Sequence, residues 1–456
     1  MESSTPARVG HREALSSQLD RLPVGRLHRK IVVAVGLGLF FDMYEVFLSG
    51  SIGTALTKDF AVSGLQLKLL LASAFIGMFF GAAFLGSLAD RLGRRKAFLF
   101  NLLWYSVWSL IGAFSPNAWF LVFARFMAGI GVGAEYPVAD AYLSDTMPKD
   151  KRGRMASWAY TCSFIAVPAV GFLALWLNSY RMLDISGWRW LLAFGAIGAV
   201  VVLFLRRGLP ESPRWLLSAG RHQEAQTTLE AFAAGSGVEV NPIEEEAAPA
   251  ESNIAILRRE PYRKRLGMLV IFHLLQTFGY YGFGTLAALT LVQRGYDVPS
   301  SLLFTALSFL GYPLGSLIST PLIIRFERKY LLMSSVVLLA LSGIAFATST
   351  APVAIVLFGF LTTIVSNIFS NVFHIYQAEI FPTSVRATAV GWTYSLSRIS
   401  SGALPFVLLP VLDAFGAAPM FIVVAVALLI ICATVGALGP RTTRRSVEEI
   451  NSLRPE

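Results

Sequence analysis

Basic side chains in this chain fall on alternate loops between long apolar stretches, and that alternation restricts the possible fold more than any other feature. About twelve stretches are long enough to cross roughly 30 Å of hydrocarbon. They cover approximately residues 30 to 57, 66 to 89, 97 to 114, 119 to 145, 154 to 178, 187 to 205, 266 to 292, 300 to 324, 331 to 349, 352 to 380, 387 to 412 and 417 to 438. Of the 38 Lys and Arg, five (Lys58, Lys68, Arg181, Arg189, Arg294) lie in or beside the loops after odd-numbered stretches. Two (Arg125, Arg398) lie inside stretches, and the other 31 lie in the termini and the loops after even-numbered ones. Cationic loops stay on the cytoplasmic side of a bilayer, so both termini are expected there.

Composition excludes a soluble globule: 55% of residues are hydrophobic and 14% charged, against about a quarter charged in soluble domains. Mean hydropathy is +0.61. The net charge of +10 would otherwise point to nucleic acid, but the basic residues occupy the short loops that topology demands. No compact apolar segment or small-residue cleavage site precedes the first stretch, so no cleaved signal peptide is expected. Cys162 and Cys432 both fall within apolar stretches and read as small packing residues with no disulfide framework.

An internal duplication is visible. Asp145, Pro148 and Arg152 form an acid-x-x-Pro-x-x-x-Arg pattern that recurs at Glu379, Pro382 and Arg386, displaced by 234 positions (379 − 145). The loop running from Gly86 through Asp90, Arg91, Gly93, Arg94 and Arg95 to Lys96 has a worn copy at the same displacement in Arg325, Arg328 and Lys329, where Ile324 replaces the Asp and Glu327 the Gly. Two loops agreeing on one offset predict two six-helix halves. Parallel halves related by an axis along the membrane normal build a large group of secondary transporters, with a site near mid-membrane between them. The expected layout is a tail over 1–29, a first bundle over 30–205, a cytoplasmic linker over 206–265, a second bundle over 266–438 and a tail over 439–456. Within the linker, Glu224 to Ala233 reads as a short helix, while the acidic run Glu244, Glu245, Glu246 reads as solvated and disordered.

Gly86 to Lys96 resembles the G-x-L-A-D-R-x-G-R-R-x signature of the major facilitator superfamily. Pro210-Glu211-Ser212-Pro213-Arg214-Trp215-Leu216 resembles the P-E-S-P-R-W-L stretch of its sugar-transporter-like branch, and Ser446-Val447-Glu448-Glu449-Ile450 resembles that branch's S-L-E-E-I ending. The resemblance implies an all-α membrane protein of twelve transmembrane helices in two pseudo-symmetric six-helix bundles. Sugar porters carry a Q-Q-x-x-G-x-N run in helix 7, where this chain has Leu275, Gln276, Gly279 and Tyr281. Helix 5 offers Thr161, Cys162 and Ser163 but no Gln, which removes amides able to bond two sugar hydroxyls at once. Phe41-Asp42-Met43-Tyr44-Glu45, Gly131-Val132-Gly133-Ala134-Glu135-Tyr136-Pro137, Tyr280-Tyr281-Gly282 and Ser397-Arg398-Ile399 instead resemble bacterial niacin transporters and related organic-anion and synaptic-vesicle-type carriers.

The residues themselves support a site. Asp42 and Glu45 are three apart and share one face of helix 1, where an ionised carboxylate costs several kcal/mol unless paired, hydrated or protonated. Two neighbouring acids oppose each other's ionisation, so Asp42 and Glu45, with Glu135 as partner for buried charge, are the proton-coupling candidates. A structural bond to a neighbouring helix is the competing reading. Gly129, Gly131 and Gly133 read as packing positions for a close helix neighbour, and Arg125, near the outer end of helix 4, as a structural or gating cation.

Helix 10 carries Asn367, Asn371 and His374 on one face beside Gln377, and helix 7 carries His273, Thr277 and Tyr280 beside Gln276 and Tyr281. Such polar stripes line water or ligand, or bond neighbouring helices. Helix 11 carries Trp392, Tyr394 and Arg398, and a guanidinium that cannot shed its charge needs a resident carboxylate or an anionic ligand. With the acids protonated, the arginine and nearby rings would suit a small planar carboxylate, bidentate at one end and stacked at the other. Tyr44, Glu135 and Tyr136 complete the substrate-binding candidates. The superfamily resemblance assigns Asp90, Arg94, Arg95, Asp145, Arg152, Glu379 and Arg386 to loop charge pairs that hold the halves together and release as they rock.

The chain therefore reads as a secondary active transporter that moves a small organic acid such as nicotinate together with protons. No phosphate-binding loop or nucleophile set is present, no cofactor or metal is expected, and the partners are substrate, protons and the lipid bilayer, with a monomeric carrier in an inner membrane. A sugar, polyol or organic-cation symporter and a non-transporting sensor on the same scaffold are the alternatives.

Overall fold

The computed structural model describes residues 15–179, 184–243, 254–443, 445 and 447–451. Twelve long helices dominate it: α1 (Arg26–Asp59), α2 (Gly64–Leu92), α3 (Arg94–Ala113), α4 (Ala118–Thr146), α5 (Lys149–Ser179), α6 (Gly187–Arg207), α7 (Tyr262–Gln293), α8 (Val298–Arg325, broken at Leu310), α9 (Arg328–Thr348), α10 (Pro352–Glu379), α11 (Thr383–Phe415) and α12 (Ala417–Leu438). Among the described residues, 11 helices are long and apolar enough to span a bilayer on their own. The twelfth, α3, begins on Arg94, Arg95 and Lys96, which lower its mean hydropathy. Short helices at Leu15–Arg21, Pro213–Ser218 and His222–Ala233 lie at the ends and in the connection between the halves. The last agrees with the helix read over Glu224 to Ala233, while Glu244, Glu245 and Glu246 fall outside the described residues.

The duplication governs packing. In the first six helices α2 packs on α4, α1 on α5 and α6, and α3 on α4 and α6; in the second six, α8 packs on α10, α7 on α11 and α12, and α9 on α10 and α12. The 234-residue displacement extends to single atoms. A Cβ on Gly77 would fall 2.1 Å from the Phe126 carbonyl oxygen and one on Gly81 2.0 Å from that of Ile130. Their counterparts Gly311 and Gly315 would fall 2.5 Å from Phe360 O and 2.4 Å from Ile364 O. In lipid no hydrophobic force joins helices, so backbone-to-backbone approach at small residues supplies the contact. Gly129 and Gly133 play the same part against the carbonyls of Ala74 and Met78.

The halves meet along α2 with α11 and α5 with α8, which are equivalent pairs, and along α1 with α7. The α1–α7 contact lies toward the C-terminal ends of both helices, away from the basic loops, where a Cβ on Gly50 would fall 2.8 Å from Thr285 O. Toward the basic end, α4 has no extended packing with α10 or α11 among the described residues. Among the described residues the two bundles thus pack through α1 and α7 at one end and, along α4, part at the other.

Candidate substrate and proton site

Seven of the candidate side chains converge where the halves face each other. Asp42 on α1 is fully buried and neither carboxylate oxygen has a hydrogen-bond partner. It lies within Coulombic reach of Glu45, Glu135, Arg206 and, across the interface, Arg398. Arg398 on α11 is 2% exposed. Its Nη1 donates to the Tyr281 hydroxyl at 3.2 Å and its Nη2 to the Tyr394 hydroxyl at 2.9 Å, and its Nε has no partner. Among the described residues no carboxylate pairs with it directly. Tyr280 stands edge-on to Tyr281, ring centroids 4.7 Å apart, and Tyr136 from the first half lies within Coulombic reach of Asp42, Tyr281 and Tyr394. His374 faces Tyr394, ring centroids 6.0 Å apart. Phe47 and Phe75 of the first half pack on Tyr281 at 6.3 and 5.0 Å, so an aromatic wall surrounds one buried cation.

Other candidates are drawn away from this cluster. Glu45 turns into its own bundle, accepting from Arg125 Nη1 and Ser109 Oγ, while Arg125 Nη2 donates to Glu45 O and Ser49 Oγ, each at 2.7 Å. A cavity of about 10 Å³, room for a single water at most, lies against this pair. Asp42 and Glu45 therefore do not share a proton; Arg125 holds one of them. Glu135 is bound by Arg206 Nη1, and Arg206 also donates to Ala34 O and lies 4.4 Å over the Phe98 ring. The apolar stretch ending at 205 places Arg206 in the linker, whereas α6 runs to Arg207 and buries it. A carboxylate at Glu135 makes that burial tolerable, and without α6's last turn its partner could not be read.

Tyr44 is not in the site: its hydroxyl donates to Leu191 O at 2.9 Å and its ring packs toward Phe194. Trp392 is 74% exposed, because residues two apart on a helix differ by about 200° and Tyr394 takes the inward face. Asn371 bonds Ser319 at 2.8 Å, serving α8–α10 packing. His273 and Gln377 join α7 to α10 at 3.1 Å. Asn367 is fully buried with both amide atoms unpartnered, and Gln276 is half-buried.

The loop charges act within each half. Arg94 pairs with Asp145 at 3.5 Å and Arg328 with Glu379 at 3.0 Å, so the repeat yields two equivalent salt bridges, each inside one bundle and neither joining the two. Arg95 N donates to the Glu211 carboxylate at 3.1 and 3.2 Å, Ser212 Oγ donates to Asp145 at 2.8 Å, and Arg152 donates to Met147 O at 3.5 Å. Pro210 to Trp215 thereby ties the connection onto α3 and α4; Tyr142 OH reaches Pro210 O at 2.6 Å. The side chains of Asp90 and Arg386 lie outside the described residues.

A twelve-helix, two-fold duplicated membrane protein with a buried charged cluster between its halves is a transporter of the major facilitator class, not an enzyme. The chain belongs to the sugar (and other) transporter family, whose model matches residues 31–453. It is 30% identical to the putative metabolite transport protein YyaJ of Bacillus subtilis over 85% of this chain and 86% of that one. It is 29% identical to the niacin transporter NiaP of Acinetobacter baylyi over 96% and 99% respectively. Among solved structures it resembles the xylose transporter XylE from E. coli in a partially occluded inward-open conformation, with a TM-score of 0.74 and 19% identity over 92% of this chain and all of that one.

Proposed function

We propose that this transporter carries a small aromatic or heterocyclic monocarboxylate such as nicotinate, with protons, by alternating access. The observation that carries the reading is Arg398: a buried guanidinium bonded, among the described residues, only to the hydroxyls of Tyr281 and Tyr394 and walled by aromatic rings. A planar carboxylate supplies the missing anion and its ring stacks where a sugar would need amides. The similarity to a niacin transporter supports the same substrate class. Asp42, unpartnered and within Coulombic reach of Arg398, is the first coupling group: it gives up its proton when water reaches it from the parted end. Glu45 is the second, since a proton on it would release Arg125. The carrier works as a monomer, since one chain supplies both halves, and sits in an inner membrane with its basic loops, the linker over 206–265 and both termini in the cytoplasm.

A thermal-shift comparison of nicotinate with nicotinamide tests the reading, since a ligand that binds the native state raises the melting point. Nicotinate should stabilise the purified protein and its neutral amide should not. Equal stabilisation by both would remove the arginine–carboxylate contact from the proposal.

A further inference from the structure

The repeat that produces the two equivalent salt bridges also places a carboxyl and an imidazole at equivalent positions. Asp140 on α4 and His374 on α10 are 234 apart (374 − 140), and so are the tyrosines beside them, Tyr160 on α5 and Tyr394 on α11 (394 − 160). Asp140 accepts from the Tyr160 hydroxyl, and His374 lies against the Tyr394 ring. Both Asp140 and His374 are exposed; Asp140 has a neighbour in the opposite half, and His374 lies beside a residue that faces that half. Tyr394 lies within Coulombic reach of Asp140, and His374 within reach of Arg398, which itself faces Asp42. They therefore look into the gap that parts α4 from α10 at the basic end.

Positions related by an axis along the membrane normal lie at the same depth and the same distance from that axis, on opposite walls. When the halves rock so that the gap narrows, such positions approach each other. An acid opposite an acid would resist closure; an acid opposite an imidazole favours it. The imidazole is already oriented for this contact. The Gln377 amide NH2 donates to His374 Nδ1 at 3.3 Å while its oxygen accepts from His273, so the ring proton of His374 sits on Nε2 and is free to be donated. We propose that Asp140 and His374 form a latch between the halves, a hydrogen-bonded carboxylate–imidazole pair made only when the basic-end passage shuts. The latch needs the motion common to this class and is independent of which solute or ion is carried.

A reporter pair one turn nearer the basic end reads the latch without a substrate. Ser144 and Ala378 lie four residues beyond Asp140 and His374, are again 234 apart (378 − 144), and are both half-buried. The full-length protein carrying Ser144→Cys and Ala378→Cys, with Cys162→Ser and Cys432→Ser, is oxidised in membrane vesicles and the disulfide-linked peptide followed by mass spectrometry. With Asp140 and His374 in place the link should form. In either Asp140→Asn, which is isosteric but uncharged, or His374→Asn, which is smaller and lacks Nε2, it should slow on the order of tenfold, the effect of one hydrogen bond to a charged group. The exchanged pair Asp140→His with His374→Asp should recover. No link in the parent, a rate that neither single substitution changes, or an exchange no faster than the singles overturns the latch.

Discussion

Asp42 and Arg398 stand on opposite halves of the protein within Coulombic reach of each other; among the described residues the carboxyl has no hydrogen-bond partner and the guanidinium is bonded only to tyrosine hydroxyls. Every other buried cation described in the first bundle has its acid: Arg125 has Glu45, and Arg206 has Glu135. Among the described residues, Asp42 and Arg398 are buried charges that face across the interface with no ion pair between either and a partner. A carrier needs such groups, since a fully paired cluster has nothing to offer a solute or a proton.

Arg398→Gln should weaken nicotinate binding by about 10- to 100-fold, the loss of one charged hydrogen-bonding partner at roughly 1.5–3 kcal/mol. Arg398→Lys should restore little, because a point charge cannot reach Tyr281, Tyr394 and a carboxylate at once. Tyr281→Phe should cost less, because Arg398 keeps its charge and its bond to the Tyr394 hydroxyl. Isothermal titration of the purified variants measures all three, and wild-type affinity in the glutamine variant would exclude Arg398 from the site.

Asp42→Asn should separate transport from its driving force. Proteoliposomes containing this variant should still exchange labelled nicotinate for unlabelled, yet fail to accumulate it when an inward proton gradient is imposed. If Asp42→Asn accumulates normally and Glu45→Gln does not, the coupling group is the one held by Arg125. Gradient-driven uptake that survives both substitutions together would exclude the acid pair.

How far the sequence reveals this arrangement depends on the range of each interaction. Loop charge and apolar length are summed over whole segments, so the twelve helices and the two halves are legible from Arg94, Arg152, Arg328 and their neighbours. The same repeat makes Arg94–Asp145 and Arg328–Glu379 legible as motifs, but not that each pair closes within one half, because sequence spacing carries no information on which bundle a loop folds against. Side-chain direction is lost in the same way. Asp42 and Glu45 share a helix face by spacing, yet Ser109 and Arg125 pull Glu45 into the bundle. Tyr44 lies in the same motif and bonds α6. Arg206 was hidden because it follows the last apolar residue of its stretch, although the acid at Glu135 required a cation. Asp140 lies within the fourth apolar stretch, and its counterpart His374 is found by adding 234.

The Glu135–Arg206 pair should be costly to break and cheap to replace. Arg206→Met leaves Glu135 buried without its cation, a loss of about 3–5 kcal/mol, seen as a large fall in melting temperature in detergent. Glu135→Leu alone should do similar damage. The double substitution should recover much of the stability, since apolar side chains of similar volume satisfy a dry bundle as well as an ion pair does. A double variant as unstable as the sum of the two singles would mean that the pair is not self-contained.

Gly93 should be the most substitution-sensitive residue of the first basic loop, for two separable reasons. Its φ of 98° lies in a region that costs a side-chain-bearing residue about 1–3 kcal/mol. A Cβ there would also fall 2.3 Å from a Glu211 carboxylate oxygen, the group that accepts from Arg95 N and fastens the Pro210 to Trp215 segment onto α3. Gly93→Ala should therefore lower the melting temperature and free that segment to proteolysis. Adding Glu211→Ala removes the collision but not the backbone strain, so it should restore part of the melting temperature while leaving the segment detached and protease-sensitive. Full recovery of both would show that the collision alone fixes glycine at this position, and no effect of Gly93→Ala would show that the loop does not need its observed geometry.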